Sequence, residues 1–188
     1  MNIVDEIKAG RKNLRGADLS NADLRDTDLY GAKLRGADLR GAILRCTDLR
    51  CAELRGADLS CANLRGADLS DADLSCADLS GADLRNADLS NADLYGAILS
   101  YADLRGVDLR NADFSGADFS GADLRIFQTD SWTAYIQKDV ITIGCKRHTV
   151  KEWMEFTDEE INKMHPDALN YWKQYKTAIF SIHDTLES

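Results

Sequence analysis

Residues 56–65 read GADLSCANLR. They are two pentads in which alanine is followed by an acid or its amide and then by leucine. The pattern runs outward in both directions without a slip. Every fifth residue from Leu14 to Leu124 is leucine or phenylalanine, twenty-three in all, and only Phe114 and Phe119 are phenylalanine. Two places before each, from Ala17 to Ala122, alanine fills nineteen of twenty-two positions; the exceptions are Thr27, Thr47 and Val107. A period this strict describes one structural unit repeated as an array.

Five suits neither ordinary element. On an α-helix, a step of five rotates each leucine by roughly 140°, so no apolar stripe forms. On one continuous strand the leucines would alternate faces. The pattern works only if the chain turns a corner every five residues, so that each leucine again points inward. Small alanines let the walls approach. Glycine or asparagine often follows two places after the leucine, as at Gly16, Asn21, Gly31, Asn86 and Asn91. Both residue types tolerate turn conformations.

The runs GADLS, NADLR, GADLR and CANLR resemble the pentapeptide-repeat family, whose signature is A(D/N)LXX. The resemblance covers roughly residues 13–125, two thirds of the chain. It implies an all-β repeat solenoid, a right-handed quadrilateral β-helix of about 23 pentads and about six coils. With four pentads per coil, residues twenty apart stack. The expected organisation is an N-terminal cap over 1–12, the β-helix over 13–125 and a C-terminal α+β module over 126–188. Thr27, Thr47 and Val107 differ by multiples of twenty, so every departure from alanine falls in one column. Thr27 and Thr47 are expected to hydrogen-bond each other and so settle their buried hydroxyls.

The chain has 188 residues and a formal net charge of −9. It contains no apolar run long enough to span a membrane, and Met1 to Lys12 lack signal-peptide anatomy. A cytoplasmic location is the default expectation. Cys46, Cys51, Cys61 and Cys76 all occupy the station two after the leucine. Their numbers leave four different remainders on division by twenty, so none stacks on another. Free thiols in a reducing compartment are expected, not a disulfide ladder or a metal column.

Individuality lies in the outward stations beside each leucine. The side built on Leu24, Leu44, Leu64, Leu84, Leu104 and Leu124 carries Arg25, Arg45, Arg65, Arg85, Arg105 and Arg125. Its neighbour carries Asp28, Asp48, Asp68, Asp88 and Asp108, opposed by Arg50 and Arg110. The other neighbour carries Asp18, Asp38, Asp58, Asp78 and Asp118 against Arg40. The last side runs from basic (Arg15, Lys33, Arg35, Arg55) to acidic (Asp73, Asp93, Asp113). An arginine column thus lies between two acidic sides. Such columns could also be a mutually compensating solvated surface.

Some pentapeptide-repeat proteins are described as resembling B-DNA and binding type II topoisomerases in its place. Charge density tempers that comparison. Residues 13–125 hold 20 acidic and 13 basic side chains, a net of −7. Stacking at about 4.8 Å gives a rod near 28 Å long, and duplex DNA of that length carries about 16 charges. Mimicry by one or two sides is credible; mimicry by the whole cylinder is not. The net charge disfavours direct nucleic-acid binding.

At the N-terminus, Asn2 can cap a helix over Ile3 to Lys8 whose Ile3, Val4 and Ile7 would cover the first coil. In the C-terminal segment, Trp132–Ile136 and Val140–Ile143 read as strands joined by a Gln137-Lys138-Asp139 turn. Thr149–Glu152 and Thr157–Glu160 are capping-box patterns. Pro166 suits the first turn of a helix running to about Leu186. Leu169, Trp172, Tyr175, Ile179, Ile182 and Leu186 form its apolar face. Trp153, Tyr171, Trp172, Tyr175 and Ile179 are candidate contacts for a homodimer or a partner. The stretch ITIGCKRHTVKEWMEF resembles terminal modules of phage and prophage proteins, which assigns no activity.

Cys145 and His148 form a Cys-x-x-His pair that, with His165 or His183, could be half a zinc site or a nucleophile with its base. No second tight pair completes the set, and a packed cysteine beside a surface histidine is the expectation. No phosphate-gripping glycine loop or HExxH motif occurs. The sequence therefore favours a non-enzymatic interaction protein without cofactors. Its sharpest function is inhibition of a DNA-binding enzyme, a topoisomerase or an anti-phage defence factor, by partial DNA mimicry. The alternative is a scaffold that dimerises through the C-terminal module; an enzyme using Cys145 and His148 is more remote.

Overall fold

A computed structural model describes residues 3–128, 132–137, 140–144 and 146–187. Two compact units divide the chain, residues 1–122 and 123–188. Residues 123–125, at the expected end of the repeats, group with the second unit, where Leu124 opens a strand.

In the first unit, α1 spans Ile3–Lys8 and buries Ile7; Asn2, its expected cap, lies outside the described residues. Beyond it the backbone is a four-sided coil. The residue before each leucine forms a parallel bridge with the residue twenty further on, from Asn13↔Lys33 to Ile98↔Asp118.

One pentad accounts for all five of its N–H groups. Leu59 donates to Asp78 O at 2.7 Å, Cys61 to Ser80 O at 2.9 Å, and Asn63 back to Ala42 O at 2.9 Å. Ala62 donates to Leu59 O at 3.0 Å, closing the corner. The fifth N–H, of Ser60, has no carbonyl in reach, and Asp58 Oδ1 accepts it at 3.0 Å. Buried or crowded backbone donors must find partners. The acid or amide before leucine therefore serves the backbone at most levels, although Lys33, Ile43 and Ile98 stand there and the coil continues through them.

Each corner closes by an i→i+3 bond and places its third residue at positive φ, the signature of a type II turn. Gly66 sits at φ 67° and Cys61 at φ 56°. Cysteine there is strained relative to glycine.

The interior is a leucine column on each side, 0–1% exposed from Leu14 to Leu104. Thr27 and Thr47 do not bond each other. Both hydroxyls donate to the Leu24 carbonyl, at 2.7 and 2.8 Å, because that oxygen lies between their levels and needs no second side chain to turn. Phe114 and Phe119 are half-buried and meet edge to face at 6.2 Å.

The second unit is an antiparallel meander, β1 (Leu124–Gln128), β2 (Thr133–Gln137), β3 (Val140–Ile143) and β4 (Lys146–Thr149), in that spatial order. Two of these four strands were expected from the sequence. Lys138 and Asp139 of the expected turn, and Cys145, lie outside the described residues. Three helices follow: α2 (Val150–Glu155), α3 (Asp158–Met164) and α4 (Ala168–Glu187). Both capping boxes form, with Thr149 and Thr157 as caps. Pro166 stands two residues before α4, not in its first turn. The core joins Ile136, Ile141, Trp153, Ile161, Trp172 and Ile179. Trp153 settles its buried N–H on Ile141 O at 2.7 Å.

Candidate interaction surface

The isolated parallel bridges fix where the outward side chains stand. Asp28, Asp48, Asp68, Asp88 and Asp108 form one unbroken bridged column. The arginine column stacks from Arg25 to Arg105, beside bridged residues 23, 43, 63, 83 and 103. Arg125 lies instead on β1 of the second unit, where it donates to its neighbour's carbonyl, Leu124 O, at 3.0 Å.

A local rule decides how much charge each column shows. Wherever Asp-Leu-Arg occurs within the array, the arginine folds back on the aspartate two residues earlier. Arg25–Asp23, Arg85–Asp83 and Arg105–Asp103 pair at 2.7, 2.6 and 2.6 Å. Arg40–Asp38, Arg50–Asp48 and Arg110–Asp108 pair at 2.5, 2.7 and 2.7 Å. Where Asp-Leu-Ser or Asp-Phe-Ser stands instead, serine donates and the carboxylate keeps its charge: Ser70 reaches Asp68 Oδ1 at 2.7 Å and Ser115 reaches Asp113 Oδ1 at 2.7 Å.

Of the five-aspartate column, Asp48 and Asp108 are thus ion-paired and Asp28 holds Lys12 at 2.7 Å. Among the described residues, the Asp88 side chain meets only the Ser90 N–H, at 2.8 Å. Asp68, besides serine, has Arg50 at 3.7 Å. In the arginine column, Arg45 and Arg65 follow Ile43 and Asn63, and no ion pair holds them among the described residues.

These partners hold several carboxyls below their ordinary range. Asp23 falls to about 2, chiefly through the side-chain hydrogen bond from Arg25. Asp38, Asp48, Asp83 and Asp103 are lowered by Arg40, Arg50, Arg85 and Arg105 in the same way. The Ser115 and Ser120 hydroxyls lower Asp113 and Asp118.

Charge is also unequal along the array. Residues 11–65 carry 11 basic and 8 acidic side chains, a net of +3. Residues 66–120 carry 3 basic and 11 acidic ones, a net of −8. All three of those bases, Arg85, Arg105 and Arg110, are ion-paired. The same stretch exposes Tyr95 (59%), Ile98 (41%) and Tyr101 (76%). Tyr101 holds φ 59°, a place glycine normally takes. Its ring occupies the space above Gly121, where a Cβ would lie only 2.5 Å away.

The sequence reading missed this apolar group, because the outward stations beside leucine and at the corners accept many residue types, Tyr101 alone of the three sitting at a positive-φ corner. It also missed the fold-back pairs, although each Asp-Leu-Arg triplet signals one.

In the second unit, Trp153, Tyr171, Trp172 and Ile179 are buried core side chains, not surface contacts; Tyr175 is half-buried. Their aromatic character reflects packing, as in the 5.1 Å approach of Trp153 to Trp172. A small apolar cavity of about 100 Å³ lies among Trp132, Ile161, Met164, Tyr171 and Trp172. His148 packs edge-on against Trp153 and Phe156 at 5.3 and 4.9 Å. His165 sits edge-on to Trp132 at 5.2 Å, and His183 is buried. Among the described residues no group of three or more metal-ligating side chains converges, and no helix is long and apolar enough to cross a membrane.

Parallel bridges every twenty residues, a leucine-filled interior and an outer surface of ordered charge define a four-sided solenoid repeat protein. The model of the pentapeptide repeats matches residues 13–45, 47–86 and 87–125 in eight copies. The chain belongs to the pentapeptide repeat family, which makes the solenoid a right-handed quadrilateral β-helix. Among solved structures it is similar to the pentapeptide repeat protein Rfr23 of the cyanobacterium Cyanothece 51142. That match has 26% identity, covers 61% of this chain and 92% of the other, and has a TM-score of 0.45. It is also similar to HetL of Nostoc sp. strain PCC 7120, involved in heterocyst differentiation regulation: 30% identity, 59% and 76% coverage, TM-score 0.27. A third is QnrB1, a plasmid-mediated fluoroquinolone resistance protein: 23% identity, 58% and 59% coverage, TM-score 0.33. A search of curated proteins found no match. The family match stops at residue 125.

Proposed function

We propose that the chain is a non-enzymatic interaction protein whose residues 66–120 occupy the cationic, DNA-binding surface of a protein partner. The partner class is a topoisomerase or an anti-phage defence factor, and the consequence is inhibition. Family membership supports the coarse part of this reading, a protein-interaction role. One observation carries the finer part. Residues 66–120 make two and three quarter coils, roughly 13 Å of array at about 4.8 Å per coil. Duplex DNA of that length carries about 8 phosphate charges, and this stretch carries a net of −8. Averaged over the whole array the match fails; over this half it holds.

Asp68 and Asp88 on one side, and Asp78 and Asp118 on the opposite side, stand in for phosphates. Asp28, Asp48 and Asp108 contribute less, because Lys12, Arg50 and Arg110 already hold them. Arg45 and Arg65 offer cations that a duplex lacks. Ile98 and Tyr101 supply apolar anchors, and exposed aromatic side chains within a polar surround are typical centres of binding energy.

The test is DNA supercoiling by a bacterial type II topoisomerase with the full chain added. Inhibition is expected, weakening as salt rises. The triple variant Asp68→Lys, Asp78→Lys, Asp88→Lys should lose at least tenfold in potency. Equal potency of that variant would overturn the proposal.

A further inference from the structure

On three sides of the array, arginines fold back onto aspartates of their own level. The side built on Leu14, Leu34, Leu54, Leu74, Leu94 and Phe114 contains no Asp-Leu-Arg triplet, and its charges are sorted by position instead. Arg15, Lys33, Arg35 and Arg55 occupy one half; Asp73, Asp93 and Asp113 occupy the other. Arg15 reaches Glu53 at 2.6 Å. Among the described residues no ion pair holds Lys33, Arg35 or Arg55, and no cation meets Asp73, Asp93 or Asp113. Asp73 and Asp113 accept from Ser75 and Ser115, and Asp93 from the Tyr95 N–H. Tyr95 stands on this side with its ring mostly exposed.

We propose that this side binds the same side of a second copy, antiparallel, about a two-fold axis between the levels of Leu54 and Leu74. A two-fold axis lying across the side reverses the order of levels and keeps each column over itself. Lys33 then faces Asp93 of the second copy, and Arg35 faces its Tyr95, a cation over an aromatic ring. Arg55 lies diagonal to Asp73, and Arg15 to Asp113. Each contact occurs twice, as an isologous interface requires. A parallel pairing would instead set acid on acid and base on base. One adverse pair remains, Glu53 opposite Asp73, and Arg15 already compensates Glu53. A single side of the coil is smaller than the roughly 800 Å² per partner of a standard interface. The dimer is therefore weak, dominated by charge, and broken by salt. The other three sides stay open, so this inference does not rest on the function proposed above.

Sedimentation velocity of the full chain over a concentration series tests it. Concentration-dependent dimer is expected at 20 mM salt and monomer at 500 mM. Lys33→Asp with Arg35→Asp shifts the side's net charge from 0 to −4 and should weaken self-association at least tenfold. So should Asp93→Lys with Asp113→Lys, which shifts it from 0 to +4. An equimolar mixture of the two double variants should associate again. The proposal is overturned if the wild type stays monomeric at about 300 µM in low salt, if either double variant dimerises as well as wild type, or if the mixture stays monomeric.

Discussion

The array and the C-terminal unit solve the same problem, removing apolar surface from water, by opposite means. The array uses one side chain at one station, and each leucine meets the leucines one coil above and below. The C-terminal unit uses dissimilar side chains once each: three tryptophans, tyrosines and isoleucines from sheet and helices. Repetition gives an interior that is specified many times over. A mixed core is specified once, so each of its members matters alone.

That contrast predicts a ranking. Trp153→Ala should cost the C-terminal unit about 4 kcal/mol, by cavity formation and loss of the bond to Ile141 O. Leu64→Ala, at the middle of the array, should cost about 3 kcal/mol. Thermal melts followed by near-ultraviolet and far-ultraviolet circular dichroism separate the two units. If either variant shifts both transitions equally, the units do not unfold independently and the comparison breaks.

Acid should act mainly on the array, where most of the depressed carboxyls lie. A carboxyl lowered in the folded state contributes stability above its unfolded value near 3.9, lost as pH falls through the folded value. With Asp23 at about 2 and its relatives also lowered, the melting temperature of the array should drop between about pH 4 and pH 2. A flat profile over that window would show that the fold-back pairs add nothing.

The smallest effect concerns the corners. Cys61 holds positive φ where glycine carries no steric cost. Cys61→Gly should stabilise the array by about 0.5–1 kcal/mol in urea titration. A loss of stability would mean that the thiol, which lies over Gly81, packs better than its backbone is strained.

How far each region could be read from sequence follows the same division. In the array, contacts twenty residues apart are copies of one contact, so a local period discloses distant neighbours. Thr149-Val-Lys-Glu152 was legible because a capping box is local. Two strands were not. Leu124 continues the pentad spacing and disguises β1, while KRHT in β4 lacks an apolar alternation. Trp153 and Trp172 read as contact candidates because composition does not tell a core aromatic from an exposed one. The surface was half legible. Column membership follows from numbering. The fold-back pairs follow from triplets, a signal the sequence reading passed over. The aspartate's service to the backbone, and the exposure of Ile98 and Tyr101, needed coordinates.

A twenty-residue coil made of interchangeable pentads separates what the interior registers from what the exterior displays. Excising five residues would put leucine where leucine was and leave the core unaware of the change. Every outward column downstream would swing by a quarter turn onto a new side. Lineages of this fold can therefore redraw their surfaces wholesale by gaining or losing a single pentad, a move that a conventionally packed domain would not survive.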